Sequence, residues 1–179
     1  MSIVFIYFFV QNCLKFLLFD YPLEYYTAYF TIRAKGFDYE MMCFGKDRVD
    51  KHLKRIAQEK DEGKKMTATE KDIETALRSV QEMYARGFEF MPIDVYRAHS
   101  RNFQIIDGKI MPSFMSIAGV ADTAAEGIVE AAKKGEFTSR DDFRERTKVS
   151  GTIIETMTRL GILADIPESN QFSVFDFMG

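Results

Sequence analysis

The first half of the chain carries apolar residues three and four positions apart, which is the spacing of one face of an α-helix. Pro22 suits the first turn of a helix, and the apolar stripe that follows it is aromatic. The stripe consists of Tyr25, Tyr26, Tyr29 and Phe30. Further helices are predicted over residues 38–42, 46–60 and 71–86, with a charged loop over residues 60–69. Such stripes are typical of core positions, so the pattern predicts packed helices rather than a binding site.

The pattern changes after residue 87, where short apolar alternations replace the helical spacing in residues 88–97 and 103–111. The dipeptide Asp107-Gly108 separates two apolar runs, and this dipeptide favours the tight turn of a β-hairpin. We therefore expect a small antiparallel sheet, followed by a boundary at Pro112.

A helical hairpin is predicted immediately after this boundary. A short apolar helix over residues 112–117 leads into a tight turn, and a second helix runs over residues 122–132 with a cap at Asp122 or a neighbour. Backbone N–H groups at the start of that helix point outward, and with the helix dipole they suit a phosphate oxygen. A glycine in the turn lets a phosphate come close because it has no side chain. The candidate phosphate-binding residues are Gly119, Val120, Ala121 and Asp122.

A second and weaker copy of this pattern follows. A connecting helix begins within residues 137–143 with a serine or threonine cap, residues 148–151 form the turn, and the next helix covers residues 152–159. Ser150 and Gly151 are the candidate phosphate contacts of this copy. Two such units are typical of a tandem helix-hairpin-helix module, which contacts the DNA backbone without reading its sequence. The alternative is a helical bundle whose glycine at the first turn only serves the turn.

Composition narrows the classes of function. The chain has 179 residues, 46% of them hydrophobic, which is enough for a buried core, and its formal net charge is −3. Because autonomous nucleic-acid-binding proteins usually carry a positive excess, any DNA contact is expected to be local. Cys13 and Cys43 lack metal-site spacing and fit a reduced, cytoplasmic compartment, while His52 and His99 have no ligand-type partners near them in the sequence. The basic residues of the helix over 46–60 are mixed with acidic ones, as on a solvated face.

Residues 1–19 are strongly apolar and allow three interpretations. A membrane helix needs about 20 mostly apolar residues, and a secretory signal needs a basic start and a small-residue cleavage site that this stretch lacks. The third interpretation is a fragment boundary, where unrelated residues replace the natural upstream sequence. The third is favoured because of the family resemblance described below, and a membrane is not expected as a partner.

The C-terminal residues 167–179 form a tail without a core of its own. Residues 167–170 resist helix formation, so the tail can be presented in an extended form to a partner. Its candidate binding motif consists of Gln171, Phe172, Ser173, Val174 and Phe175. Peptides of this kind place apolar anchors in a groove while a polar residue fixes the register. The alternative is a terminus whose aromatic residues fold back onto the domain.

Several stretches, in one order over residues 21–175, resemble the C-terminal end of the PolC-type alpha subunit of DNA polymerase III from Gram-positive bacteria. They are residues 21–34, Arg86-Gly87-Phe88-Glu89-Phe90, Asp94-Val95-Tyr96-Arg97, Ile105-Ile106-Asp107-Gly108, the first hairpin, Gly135-Glu136-Phe137, Asp142-Phe143, Lys148-Val149-Ser150 and the tail. The family usually has glycine where this chain has Ala121, and leucine at the positions of Phe172 and Val174.

The resemblance implies a mainly α-helical (α+β) fold in five segments. Residues 1–19 would be the boundary stretch, 20–91 a helical part of the fingers, and 92–111 a β-hairpin region. Residues 112–166 would be the tandem module that grips duplex DNA, and residues 167–179 a flexible tail that carries the clamp-binding motif.

The resemblance also implies part of a DNA-directed DNA polymerase, a nucleotidyltransferase that replicates DNA with the sliding clamp and other replisome subunits. The family holds Mg²⁺ with acidic residues of a catalytic palm that this sequence lacks. The chain is therefore expected to have no catalytic or metal-binding residues, no cofactor of its own and no activity alone. The rival interpretation is a stand-alone, non-catalytic adaptor that links duplex DNA to the sliding clamp.

Overall fold

The computed structural model describes residues 18–32 and 36–169. In these residues the fold is mainly α-helical with one antiparallel β-hairpin, as predicted. The N-terminal helices are α1 (Pro22–Ile32), α2 (Tyr39–Met42), α3 (Lys46–Asp61) and α4 (Ala68–Ala85). Strands β1 (Gln104–Ile106) and β2 (Lys109–Met111) follow, then a 3-10 turn (Phe114–Ser116). The C-terminal helices are α5 (Asp122–Ala132), α6 (Arg140–Thr147) and α7 (Gly151–Arg159). None of the helices in these two ranges is long and apolar enough to cross a membrane.

The aromatic stripe of α1 belongs to a buried core, as its spacing predicts. Tyr26 and Phe30 are fully buried, and their rings stack with centroids 6.1 Å apart. Phe30 also contacts the rings of Phe37, Phe90 and Phe103, with centroid distances of 5.3, 5.4 and 6.0 Å. Because aromatic pairs at such distances stabilise beyond their buried area, this cluster gives the N-terminal helices a core of their own.

Helix α4 begins at Ala68, three residues before the predicted start. Thr67 caps it: the threonine hydroxyl accepts a hydrogen bond from Glu70 N at 3.2 Å, and the Glu70 carboxylate accepts from Thr67 N at 2.8 Å. This reciprocal pair is a capping box, and its Thr-x-x-Glu signature is visible in the sequence. The apolar periodicity alone missed it because the first turn of α4 is exposed.

The predicted turn at Asp107-Gly108 joins β1 to β2. Both residues have positive φ, 51° and 74°, as a type I′ hairpin turn requires. Residues 88–97, all of them described, form no strand and contribute one isolated bridge, from Phe90 to Ile110. Pro92 lacks the N–H that would continue a ladder, which explains why this alternating stretch stays irregular.

Strand β2 joins two hydrophobic cores. Its consecutive residues Ile110 and Met111 are both fully buried, and successive side chains of a strand point to opposite faces. Ile110 therefore packs into the N-terminal aromatic core, whereas Met111 packs into a second core built by the C-terminal helices. Tyr39 of α2 also packs into this second core, and its hydroxyl accepts a hydrogen bond from Ile93 N at 3.4 Å.

Candidate nucleic-acid interface

The first predicted hairpin turn is a tight, exposed turn on a buried anchor. Val120 N donates to Ile117 O at 3.1 Å, and Gly119 between them has φ +83°, the conformation that favours glycine. Ala118 and Gly119 are exposed, whereas Ile117 and Val120 are buried in the second core. The turn therefore presents backbone to the solvent while the side chains on either side of it fix its position.

Helix α5 begins directly after this turn without a side-chain cap. Ala121 is its N-cap residue, in extended backbone, and makes no capping hydrogen bond. The cap is expected at Asp122 or a neighbour; the N-cap is the neighbour Ala121, and Asp122 is already the first helical residue. An N-cap without a side-chain acceptor leaves the first N–H groups of a helix for water or a ligand, and the positive end of the helix dipole is there as well.

Three charged side chains lie at this helix start. The Arg101 guanidinium lies 2.8 Å from the Asp122 carboxylate and 3.9 Å from that of Glu126, one turn further along α5. Arg101 is about half exposed, so its cation faces solvent beside the turn. Arg101 carries no signal in the sequence, since it stands in an irregular segment 21 positions before the first residue of α5 and belongs to no motif.

The second predicted hairpin turn lies between α6 and α7. Lys148 adopts the left-handed conformation with φ 56°, and Val149 is buried, as Val120 is in the first turn. Ser150 is the N-cap of α7 and its hydroxyl accepts from Ile153 N at 3.4 Å. The helix starts at Gly151, one residue before the predicted start. The second turn therefore satisfies part of its own helix start, unlike the first.

One hydrophobic core supports both turns. It includes Phe114, Ile117, Val120, Ile128, Phe143, Val149, Met157 and Leu163. Six of these side chains are larger than valine and less than 3% exposed, so the two hairpins are packed as one body rather than as two independent units.

Arg146 ties the end of α5 to α6. Its guanidinium donates to Ala131 O, to Gly135 O at 2.9 Å and to Glu136 O at 2.9 Å, and it lies 4.3 Å from the ring centroid of Phe137. A cation at the C-terminal end of a helix also interacts favourably with the helix dipole. The contact network fixes the linker between the two hairpins.

Asp142 completes this linker contact. The Thr138 N–H donates to its carboxylate at 3.0 Å and, with the neighbouring Arg146, lowers the pKa of the Asp142 carboxyl. Arg146 lies 3.3 Å from the same carboxylate.

The predicted phosphate-binding residues differ in exposure. Gly119, Ala121 and Ser150 are exposed, Asp122 and Gly151 are half-buried, and Val120 is buried with its N–H already bonded. Their roles stay predictions. A cleft of about 410 Å³ adjoins the first turn. It is lined by residues 115–121 and by Phe37 and Asp38. The predicted clamp-binding motif, residues 171–175, and residues 1–17 lie outside the described residues.

Within the described ranges, no group of three or more histidine, cysteine, aspartate or glutamate residues is placed to hold a metal ion. The two turns present backbone at helix starts, and Arg101 lies beside the first of them.

Comparison with known proteins agrees with this architecture. Residues 87–171 match the helix-hairpin-helix motif family. The chain is 42% identical over 156 residues to a protein named DNA polymerase III PolC-type from Streptococcus agalactiae (serotype III, strain NEM316), which covers 87% of this chain and 11% of the relative. Proteins of the same name from Streptococcus suis (strain 98HAH33) and Clostridium perfringens (strain 13) are 40% and 39% identical over 87% of this chain.

The chain thus spans about a tenth of the length of the curated relatives that it matches, 11% or 10% in these three. The identity covers most of the chain and includes the region of the hairpins, and the shared architecture follows the helix-hairpin-helix motif. By these comparisons the chain is a homologue of a segment of PolC-type DNA polymerase III.

Proposed function

We propose that this chain is part of a replicative, PolC-type DNA-directed DNA polymerase, in which it grips duplex DNA and docks on the sliding clamp. The grip is independent of sequence, because backbone N–H groups at helix starts contact phosphates and not base edges. Such a protein works in the cytoplasm beside other replisome subunits.

The observation that carries this proposal is the first hairpin turn. Gly119 is exposed with φ +83°, and the next helix starts at Asp122, after an N-cap residue, Ala121, that makes no side-chain capping hydrogen bond. Apart from Gly119 itself and its chain neighbours, no atom lies within 4 Å of the position where a Cβ at Gly119 would stand, so a phosphate has room to approach. The match of residues 87–171 to the helix-hairpin-helix motif supports the same interpretation.

The test is a matched pair of glycine substitutions. Gly119→Ala and Gly63→Ala both place a Cβ in open space on a left-handed backbone, with φ +83° and +86°. Each should lower the free energy of unfolding by about 1 kcal/mol. Only Gly119→Ala should weaken duplex binding, measured by fluorescence anisotropy. Equal affinities of the two variants would remove the first turn from the phosphate contact.

Clamp docking rests on the tail motif. Phe172 and Phe175 are its aromatic anchors, and aromatic anchors usually dominate such contacts. Phe172→Ala with Phe175→Ala should abolish binding to a purified streptococcal sliding clamp in surface plasmon resonance. Phe177→Ala, in the same tail but outside the motif, is the control and should bind normally. Binding that survives the double substitution would reject this motif.

The chemical step belongs to the rest of the polymerase under this proposal. Polymerases of this type hold Mg²⁺ ions with palm carboxylates. The ions activate the primer hydroxyl and stabilise the leaving phosphate. The chain alone should therefore not extend a primer in the presence of Mg²⁺ and nucleotides. Extension above background by the purified chain would overturn this division of roles.

A further inference from the structure

Helix α3 has a cationic face opposite its buried side. Val49 is fully buried, and Leu53 and Ile56 pack with it against the N-terminal core. The outward side carries Arg48, Lys51, Lys54 and Arg55, and these residues define the α3 cationic face. They line a shallow depression of about 830 Å³ together with Asp47, His52 and Gln58. Asp47 is the single carboxylate in that lining.

Two acidic residues beside this face, Glu40 and Glu59, are already engaged in ion pairs. Glu40 pairs with Arg48 at 3.2 Å and with Arg159 at 2.7 Å, and these contacts lower the pKa of its carboxyl. Glu59 lies 3.8 Å from Arg55 and 2.6 Å from Lys64. Lys51 and Lys54 form no ion pair within the described part of the chain.

A helical spacing sets the cations in a row. Positions 48, 51 and 55 lie on one side of a helix, and at 1.5 Å per residue they span roughly 10 Å. That span equals about three steps of 3.4 Å along the DNA axis, the rise covered by about four successive phosphates of one strand. Four cations with no hydrophobic side chain among them suit a charged backbone rather than a peptide with apolar anchors.

The α3 cationic face is connected to the hairpin module. Arg159, at the end of α7, reaches the same Glu40 carboxylate as Arg48. Asp38, at the start of α2, lies in the cleft beside the first hairpin turn. The Glu40 carboxylate thus links the face to the end of α7 in the hairpin module.

We propose that the α3 cationic face binds phosphates of the same DNA duplex that the hairpin turns hold. This inference rests on the proposed function and adds a second contact surface, in a helix outside residues 87–171, the region that matches the helix-hairpin-helix motif. The contacts are electrostatic and independent of sequence.

The test compares two triple variants of the full chain. One replaces the face: Lys51→Gln, Lys54→Gln and Arg55→Gln. The control removes the same charge elsewhere: Lys65→Gln, Lys71→Gln and Arg78→Gln, all exposed residues of α4 and the loop before it. The α3 variant should bind duplex DNA about tenfold more weakly, and the slope of log K against log salt should fall by about three. The control should change neither quantity.

A second measurement uses the unaltered chain, so it does not depend on whether a variant folds. The chain has two histidines: His52 borders the α3 cationic face, and His99 accepts hydrogen bonds from the backbone around Arg101, beside the first hairpin. In NMR spectra, duplex DNA should shift the ring signals of both histidines. A duplex that shifts His99 and leaves His52 unmoved would overturn the second contact.

The outcomes separate this inference from the proposed function. If Gly119→Ala weakens binding while the α3 variant and its control bind alike, the hairpin grip stands and the α3 contact is rejected. If the unaltered chain binds no duplex, both are rejected. Binding of poly-glutamate in preference to DNA, lost in the α3 variant, would assign the face to an acidic protein and overturn the inference.

Discussion

The Arg101 guanidinium lies 2.8 Å from the Asp122 carboxylate, at the residue where helix α5 begins. An aspartate in the first turn of a helix is favourable for the helix dipole, but it occupies the place that a phosphate would take. Arg101 offsets this negative charge. Under the proposed function, Asp122 and a DNA phosphate would compete for one helix start and one arginine.

Replacing Asp122 by asparagine should strengthen duplex binding. The substitution removes a like charge beside the phosphate and frees Arg101, which we expect to raise the affinity about three- to tenfold at low salt. Fluorescence anisotropy with a labelled duplex measures the change. Asp72→Asn removes the same charge from an exposed position of α4 and should leave the affinity unchanged.

An Asp122→Asn chain that binds DNA no better than Asp72→Asn would show that the start of α5 is not a phosphate contact. The gain should also shrink as salt is added, because screening weakens the repulsion that the substitution removes.

Replacing Arg146 by methionine should loosen the linker between the two hairpins. The aliphatic stem is kept, while the hydrogen bonds to Ala131 O, Gly135 O and Glu136 O are lost. We expect the free energy of unfolding to fall by about 1–3 kcal/mol, measured with urea. Arg144→Met, at an exposed position of the same helix, should lower the free energy of unfolding by less than about 0.5 kcal/mol. Equal losses in both variants would contradict the linker role.

Gly36 is held against the backbone of α4. A Cβ there would stand 2.6 Å from Asp72 O, closer than any real contact, and the backbone carbonyl must move to admit it. Gly36→Ala should therefore lower the free energy of unfolding by about 1–3 kcal/mol. Gly151→Ala meets no atom within 4 Å at the start of α7 and should be neutral or slightly stabilising. If Gly36→Ala left the free energy of unfolding unchanged in the same urea titration, the close contact between Gly36 and the α4 backbone would be contradicted.

The capping box of α4 makes stability depend on pH. The Thr67 backbone N–H and hydroxyl lower the pKa of the Glu70 carboxyl to about 2, and Lys64 adds to the shift. A carboxyl with a depressed folded-state pKa stabilises the fold above its unfolded pKa, and the contribution is lost as pH falls toward the folded value. Glu70→Gln should therefore be less stable than the unaltered chain at pH 7, with a difference that shrinks between about pH 4.5 and pH 2. A difference that stays constant over this range would contradict the charge contribution.

Much of the fold could be predicted from local signals. The apolar spacing of α1, the dipeptide Asp107-Gly108 and the glycine at position 119 each act on their own neighbours, so the sequence is enough to place them. Apolar periodicity does not locate the start of α4, because its local capping box is made by two polar residues, Thr67 and Glu70.

The rest depends on contacts between distant residues. Arg101 reaches Asp122 across 21 positions, and Arg159 reaches Glu40 across 119. Neither pair has a motif, since only the packing of two cores around β2 brings its members together. The sequence also does not show that α5 lacks a side-chain cap at Ala121, because a polar residue nearby could have supplied one.

The most direct test of the central claim is the salt dependence of duplex binding by the full chain. Anisotropy titrations with two labelled duplexes of unrelated sequence and equal length should give equal affinities. Log K should fall linearly with log salt, because the contacts are with phosphates. A strong preference for one sequence, an affinity that salt leaves unchanged, or no binding at low salt would contradict the account.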